Sequence, residues 1–116
     1  EMKKLTIILS ILIFCGCAHQ TTTKKTLPTY EHYRACDLIS LDFVSTMQCG
    51  KTTRSSYCLP DKCSQKGNKL VAYYDQLAQS VQMGDLTETE ARKLFLKRNN
   101  EAEREYIEVM KELNSK

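Results

Sequence analysis

The amino-acid sequence predicts a small all-α domain that is stapled by disulfide bonds and ends in a long αα-hairpin, after a signal peptide and a flexible tether. Three observations lead to this prediction. Apolar residues recur at three- and four-residue steps over residues 69–113, which is the spacing of a helix that buries one face. Four of the six cysteines lie between positions 36 and 63, and in an exported chain they predict disulfide bonds. A short apolar run near the amino terminus indicates export.

The amino-terminal segment, residues 1–16, is typical of a secretory signal peptide. Two lysines precede an apolar run from Leu5 to Phe14, which is about half the length of the roughly 20-residue helix that spans a membrane. Gly16 stands directly before Cys17 at the end of this run. A small residue followed by cysteine at this place resembles the lipobox of bacterial lipoproteins.

The lipobox resemblance implies that residues 1–16 are removed and that Cys17 receives a covalent lipid; no other cofactor is expected. Modification at Cys15 is one alternative, and a buried apolar helix without processing is another. Two or three acyl chains would form a durable anchor, because each buried methylene contributes about 0.8 kcal/mol. Ala18 stands where an aspartate often retains such proteins in the inner membrane. The resemblance therefore implies the outer membrane, with the protein facing the periplasm.

Removal of residues 1–16 leaves one small domain on a tether. Residues 17–28 show no helical periodicity and predict a flexible tether, and residues 29–116 predict the helical domain. The removed segment carries two lysines and one glutamate, so the 17 basic and 14 acidic side chains fall to 15 and 13, a net charge of +2. A charge this small does not favour nucleic-acid binding.

Residues 29–48 are predicted to form the first helix of the domain. Apolar side chains from Tyr33 to Met47 share one helical face. The pattern is longer than a usual strand, although a strand is the alternative. Residues 49–68 contain two glycines, a proline and several serines and threonines, so they predict a loop.

The four cysteines of the domain are predicted to form two disulfide bonds. Structural zinc is the alternative, but zinc sites usually contain close Cys-x-x-Cys pairs, and the gaps here are twelve, eight and four residues. Four cysteines allow three pairings, and the sequence does not choose among them. We expect the bridges to fix the loop 49–68 to the first helix. The cysteines are Cys36, Cys49, Cys58 and Cys63.

Residues 51–69 carry a concentrated positive charge. Five basic residues stand against one acidic residue, Asp61, for a net charge of +4. A solvated loop is the simpler interpretation, and a contact for acidic partners, such as lipid head groups or cell-wall polymers, is the alternative. The basic residues are Lys51, Arg54, Lys62, Lys66 and Lys69.

Residues 69–113 predict two antiparallel helices joined by a short turn. The first helix is predicted to end at Gly84, since glycine commonly follows a helix C-terminus. Thr87 and Glu90 form a capping-box pattern that marks the start of the second helix. The sequence Gly-Asp-Leu-Thr-Glu-Thr-Glu that begins at Gly84 resembles the turn of the short C-terminal domain (SHOCT) family. The resemblance covers residues 70–98 and implies an interaction or oligomerisation element.

The hairpin is expected to pack against the first helix of the domain. Its two helices contain no cysteine, so apolar side chains must hold them in place. The side chains expected to make this contact are Leu77, Phe95, Ala102 and Tyr106.

The sequence contains no recognisable catalytic motif, and the chain is expected not to be an enzyme. It lacks a glycine-rich phosphate loop, a Gly-x-Ser-x-Gly nucleophile elbow and a Cys-x-x-Cys pair. Its two histidines are His19, in the tether, and His32, which is interpreted as a surface or capping residue. No metal site is expected. A small enzyme that uses His32 is the least favoured alternative.

These patterns favour a non-catalytic envelope lipoprotein that acts as a protein-interaction or assembly accessory, of a pilotin-like or exclusion type. Its expected partners are the membrane, through the lipid anchor, and a protein that the sequence does not identify. A homo-oligomer is an open alternative, and nucleic acid is not expected. The second functional interpretation is a structural protein that contacts peptidoglycan or anionic lipid through the basic residues 51–69.

Overall fold

The computed structural model describes residues 27–39, 41–58 and 63–115, and these residues form four helices and no strand. The predicted all-α class is therefore confirmed, and a helical hairpin made of the last two helices ends the described chain. No helix within these ranges is long and apolar enough to cross a membrane. The helices are α1 (Thr29–Asp37), α2 (Phe43–Tyr57), α3 (Gln65–Gln82) and α4 (Glu88–Asn114).

Several predicted features lie outside the described residues. They include the signal peptide, the tether as far as residue 26, and the loop residues 59–62. The proposals for these segments stay predictions. The individual residues concerned are Cys17 with its alternative Cys15, His19 and Lys62.

Side-chain caps fix the beginnings of three helices. Asp42 before α2 and Ser64 before α3 each accept a hydrogen bond from a backbone N–H of the first turn. Thr87 and Glu90 form the predicted capping box at α4, with hydrogen bonds of 2.9 and 3.1 Å. These bonds satisfy N–H groups that have no partner within the helix.

Glu88, in the first turn of α4, also contributes to the beginning of α2. Its Oε1 accepts a hydrogen bond of 3.0 Å from the backbone N–H of Phe43. A carboxylate is favourable here, because the first turn of a helix carries partial positive charge. The beginnings of α2 and α4 are therefore joined by one side chain.

The turn of the hairpin is built around Gly84. Its φ of 81° lies in the left-handed region that favours glycine. The backbone N–H groups of Asp85 and Leu86 donate to the carbonyl oxygen of Ser80 at 2.9 and 3.2 Å, which satisfies one of the last carbonyls of α3. The predicted end of the helix at this glycine is confirmed.

Residues 29–48 are mainly helical, as favoured over a strand, but the prediction of one continuous helix is wrong, because the helical structure is interrupted between α1 and α2. α1 ends at Asp37. The break lets α2 fold back, so that Tyr33 of α1 and Phe43 of α2 both contact the ring of Phe95. On a single straight helix these two rings would stand about 15 Å apart along the axis.

The prediction of a loop over residues 49–68 is wrong for most of its length. α2 continues to Tyr57, and α3 already begins at Gln65. Hydroxyl groups inside α2, such as those of Thr53 and Ser55, donate to backbone carbonyl oxygens four residues earlier. Because these bonds satisfy the hydroxyls within the helix, a composition typical of loops is compatible with helical structure.

The four helices meet in a cluster of aromatic rings, to which each helix contributes one fully buried residue. Tyr74 lies 4.6 Å from Tyr33 and 5.0 Å from Phe95, and Phe43 lies 6.3 Å from Phe95, measured between ring centroids. The rings meet edge to face, the arrangement that favours aromatic pairs. The expected contact of Phe95 with the first helix is confirmed, since its ring centroid lies 6.4 Å from that of Tyr33. Leu77 is buried in the same core.

The four cysteines form two disulfide bonds, as predicted, and so none is left as a zinc ligand. Cys36 pairs with Cys49 and joins α1 to α2. Cys58 pairs with Cys63, with a sequence separation of 5, and closes a short ring between α2 and α3. The expectation that both bridges fix a loop to the first helix is wrong, because Cys49 lies within a helix and the second bridge is local.

α4 extends beyond the other three helices. It has 27 residues, against 18 in α3, and is about 40 Å long. Ion pairs hold its nearer part to α1, where Arg92 pairs with Asp37, and Glu103 with Arg34. Residues 104–114 are all exposed. We call this part of α4 the overhang.

Candidate binding groove and anion pocket

The overhang exposes an apolar stripe. Tyr106, Val109, Met110 and Leu113 are between 37% and 60% exposed. They follow one another at steps of three, one and three residues and extend the side of α4 that faces the core. The expected contact between Tyr106 and the first helix is present, since its ring centroid lies 5.9 Å from that of Tyr30. The ring nevertheless keeps much of its surface exposed.

A groove of about 670 Å³ lies beside this stripe, between the beginning of α3 and the overhang. Apolar side chains from three helices line it. Ala102, which packs against the core, lies between the buried and the exposed parts of α4. The groove therefore continues the apolar core to the surface. The apolar lining residues that belong to these helices are Tyr30, Leu70, Ala102, Tyr106 and Val109.

Charged residues line the same groove. Lys66 and Lys69, from the first turns of α3, are exposed. Arg98 and Glu105, from α4, form an ion pair of 2.9 Å. An apolar lining with a polar rim is the usual composition of a binding site for a peptide or a small ligand.

A second, smaller cavity of about 370 Å³ adjoins the groove. The two share Pro28, Thr29, Ser64 and Tyr106 as lining residues. We call this cavity the Arg54 pocket. The other described residues that line it are Leu27, His32, Arg54, Tyr57, Cys58 and Cys63.

Arg54 is only 8% exposed, whereas the sequence predicted a surface residue. Its Nε donates a hydrogen bond of 2.8 Å to Oγ1 of Thr29, and its Nη2 donates one of 3.4 Å to the carbonyl oxygen of Ser64. Burial lowers the pKa of its guanidinium from the ordinary value. None of the ion pairs formed by the described residues includes Arg54.

The other described basic residues that were predicted to contact an acidic partner lie on different faces of the domain. Lys51 forms an ion pair of 2.9 Å with Asp75 of α3, and Lys66 and Lys69 lie on the groove. The basic segment is therefore not one exposed loop, because helix formation directs its side chains to different faces. The structure brings two of the five residues together at an exposed site and places Arg54 in the adjoining pocket.

His32 is buried in the wall of the Arg54 pocket, with 2% of its surface exposed, so its interpretation as a surface residue is wrong. Its ring centroid lies 5.1 Å from that of Tyr57. Burial lowers the pKa of the imidazole, and the neighbouring Arg54 guanidinium lowers it further. A hydrogen bond with the backbone of Leu27 acts in the opposite direction. The ring is therefore neutral near pH 7.

Neither the groove nor the burial of Arg54 was predicted from the sequence, although one residue signalled them. Gly67 lies inside the first turn of α3, where a side chain would meet Arg54 Nη2 at 2.6 Å and would also overlap Thr29. A glycine within a helical pattern often marks such a close approach. Across the described ranges, no group of three or more His, Cys, Asp or Glu side chains could hold a metal ion.

Comparisons with known proteins find no matching family model, no matching curated protein and no matching solved structure.

Proposed function

We propose that this chain is a membrane-anchored, non-catalytic envelope lipoprotein that binds a protein partner and acts as an interaction or assembly accessory. One observation carries the proposal: the apolar stripe of α4 leaves the core and continues, exposed, beside the groove. Contiguous apolar surface with a polar rim often marks a protein-interaction site. The predicted lipid on Cys17 would hold this site at the membrane.

The shape of the groove supports an amphipathic helix as the part of the partner that binds. The stripe offers anchor positions one turn apart, from Tyr106 through Val109 to Leu113. Helix-in-groove recognition uses the same spacing on both partners. A pilotin-like or exclusion-type role would follow from holding a segment of another envelope protein in this way.

The first experiment places a photo-crosslinking amino acid at Val109, in the full-length chain in its native envelope. We expect a discrete adduct with one protein. The matched control carries the same group at Gln76, which is exposed on α3 away from the groove lining. Equal adducts from both positions, or an adduct with lipid alone, would contradict the proposal.

A second variant separates binding from folding. Val109→Glu places a charge on the stripe, at a side chain that is already 43% exposed, so we expect an unchanged melting temperature. Crosslinking from a second group at Leu113 should fall strongly. Retention of the adduct in this variant would show that the stripe does not form the contact.

The predicted anchor needs its own test. Cys17→Ser should leave the precursor unprocessed and block incorporation of a labelled fatty acid. Cys15→Ser should leave both unaffected. Loss of labelling in the Cys15 variant alone would move the anchor to that residue, and labelling that survives both substitutions would exclude the lipobox interpretation.

The alternative function, contact with peptidoglycan or anionic lipid, has one supporting observation. Lys66 and Lys69 are exposed near the positively charged start of α3. Reversal of both charges should then abolish sedimentation with peptidoglycan or with anionic vesicles, whereas reversal at Lys93, an exposed residue of α4, should not. Unchanged sedimentation would remove this alternative.

A further inference from the structure

The Arg54 pocket holds a buried positive charge for which the described residues provide no carboxylate. Arginine is rarely buried unless an acidic group accompanies it. Here the guanidinium donates to a hydroxyl group and a carbonyl oxygen, on Thr29 and Ser64. These are neutral acceptors, and neither compensates the charge.

The surroundings of the guanidinium add to the positive potential. It lies against the first turn of α3, close enough that a side chain at Gly67 would overlap it. The beginning of an 18-residue helix presents partial positive charge and N–H groups without partners inside the helix. Two independent features, a buried arginine and a helix N-terminus, therefore converge on one cavity.

We propose that the Arg54 pocket binds a carboxylate of the protein partner, either an acidic side chain or a carboxyl terminus, while the apolar residues next to it in the partner lie in the groove. The inference rests on the proposed function for the nature of the partner. The fork of a guanidinium matches the two oxygen atoms of a carboxylate.

Charge and position favour a carboxylate over a phosphate group. Arg54 is the only lysine or arginine among the described residues that line the pocket, so the pocket matches an anion of charge −1. The cavity of about 370 Å³ has room for a carboxylate with its attached methylene groups. Its shared wall with the groove, at Thr29, Ser64 and Tyr106, connects it to the surface where the peptide would lie.

The first test uses acetate as the probe on the folded chain. In nuclear magnetic resonance titrations at constant ionic strength, acetate should shift the Arg54 side-chain signal and the Gly67 amide, with affinity in the millimolar range expected for so small a ligand. Chloride at the same ionic strength should not. Inorganic phosphate is the second probe, and tight binding of phosphate without acetate would overturn the assignment to a carboxylate.

Matched variants identify the group responsible. Arg54→Met keeps the length of the side chain and removes the charge, and we expect acetate affinity to fall about tenfold or more, as for loss of a hydrogen bond to a charged group. Lys51→Met removes a charge from an exposed position on the same helix and should leave the affinity unchanged. Equal losses in both variants would reduce the effect to general electrostatics and overturn the proposal.

The stability of Arg54→Met separates a binding role from a purely structural one, which would make this variant less stable than the parent chain without acetate. Replacing an uncompensated buried charge by an apolar side chain is often neutral or stabilising, so Arg54→Met should keep or raise the melting temperature without acetate and lose the stabilisation by acetate. If Arg54→Met unfolds, Arg54→Lys keeps the charge but not the fork, and it should fold and bind acetate more weakly. Acetate binding of undiminished strength in Arg54→Lys would overturn the role of the guanidinium.

The chain itself could supply the missing carboxylate from Asp61, which lies outside the described residues. Asp61→Asn should then create acetate binding that the unchanged protein lacks, and this result would overturn the proposal. The groove is tested separately by the adduct from Val109. If acetate does not bind the unchanged protein and the adduct from Val109 persists in Arg54→Met, the proposed function stands and the carboxylate pocket fails.

Discussion

The hydroxyl group of Tyr74 donates a hydrogen bond of 2.6 Å to Oδ1 of Asn99, and both side chains are buried. Nδ2 of Asn99 in turn donates to the carbonyl oxygen of Tyr30 at 3.2 Å. These two hydrogen bonds therefore connect α3, α4 and α1 inside an apolar core. Buried polar groups that satisfy one another favour a single register over the alternatives that apolar packing alone permits.

Removing either of these hydrogen bonds should destabilise the fold. Tyr74→Phe leaves Oδ1 of Asn99 buried without a donor, so we expect the free energy of unfolding to fall by about 1–3 kcal/mol. Asn99→Leu removes partners from both tyrosines and should cost at least as much. The double variant should cost less than the sum, because the two changes share one hydrogen bond. Urea denaturation measures all three, with the exposed Asn100→Ala as control.

Gly50→Ala should destabilise the protein although alanine is the better helix former. A methyl group at this position would overlap the ring of Tyr33, which is fully buried and packs against the rings of Tyr74 and Phe95. Overpacking of this kind costs about 1–3 kcal/mol, against a gain of roughly 1 kcal/mol in helix propensity. Ser55→Ala, at an exposed position of the same helix, is the control and should leave stability nearly unchanged. Equal melting temperatures for Gly50→Ala and the parent chain would contradict the close packing.

The two disulfide bonds should contribute unequally to stability. The bridge between Cys36 and Cys49 has a sequence separation of 13 and the bridge between Cys58 and Cys63 one of 5. Loop entropy then predicts losses of about 3 and 2 kcal/mol for the corresponding double serine variants. Each kcal/mol lowers the melting temperature by about 4–8 °C in a domain of this size.

Helical content should survive either loss, because α3 and α4 contain no cysteine and supply most of the helical residues. Circular dichroism of each double variant, together with its melting temperature, provides the measurement. A larger loss of stability on removal of the bridge between Cys58 and Cys63, or loss of most of the helical signal, would contradict this prediction.

His32 should make stability depend on pH in the range below its ordinary pKa. Burial, and then the guanidinium of Arg54, lower the pKa of the folded state below 6.5, whereas Glu31 opposes this effect. The unfolded state therefore binds the proton more readily. The stabilisation is complete above the unfolded pKa of 6.5 and is lost as pH falls through the lower, folded pKa.

Comparison of His32→Gln with the parent chain isolates this effect. Urea denaturation at about pH 7.5 and about pH 5.5 should show a loss of stability in the parent chain that is smaller in the variant. Carboxyl groups with lowered pKa, such as that of Glu103, act in the same direction but only in more acidic solution. An identical pH dependence for both proteins would mean that the imidazole does not contribute.

The hairpin could be predicted because its signals are local. The apolar period of α4 and the capping pair Thr87 and Glu90 each lie within a few residues, and the side-chain hydrogen bonds form as the spacing requires. Gly84 similarly marks its turn through its own φ angle. Such features depend little on the rest of the fold.

The features that the sequence did not predict depend on contacts between residues that are far apart along the chain. Gly50 and the hydroxyl residues of α2 predict a loop, but the glycine fits the ring of Tyr33 and the hydroxyls bond within the helix. The burial of Arg54 depends on the absence of a side chain at Gly67, on another helix. The sequence period of α4 likewise does not reveal where the core ends, since the stripe continues unchanged into the overhang.

The bond from Glu88 to the backbone of Phe43 restricts how the hairpin can change in length. If a residue added to the turn before α4 were taken up into that helix, every position of the helix would rotate by about 100° and move by about 1.5 Å relative to its present setting. Glu88 would then point away from α2, and its neighbours would not replace it. A connection that is exposed on the surface, and so normally tolerant of insertions, has its length set by a residue 45 positions earlier in the chain.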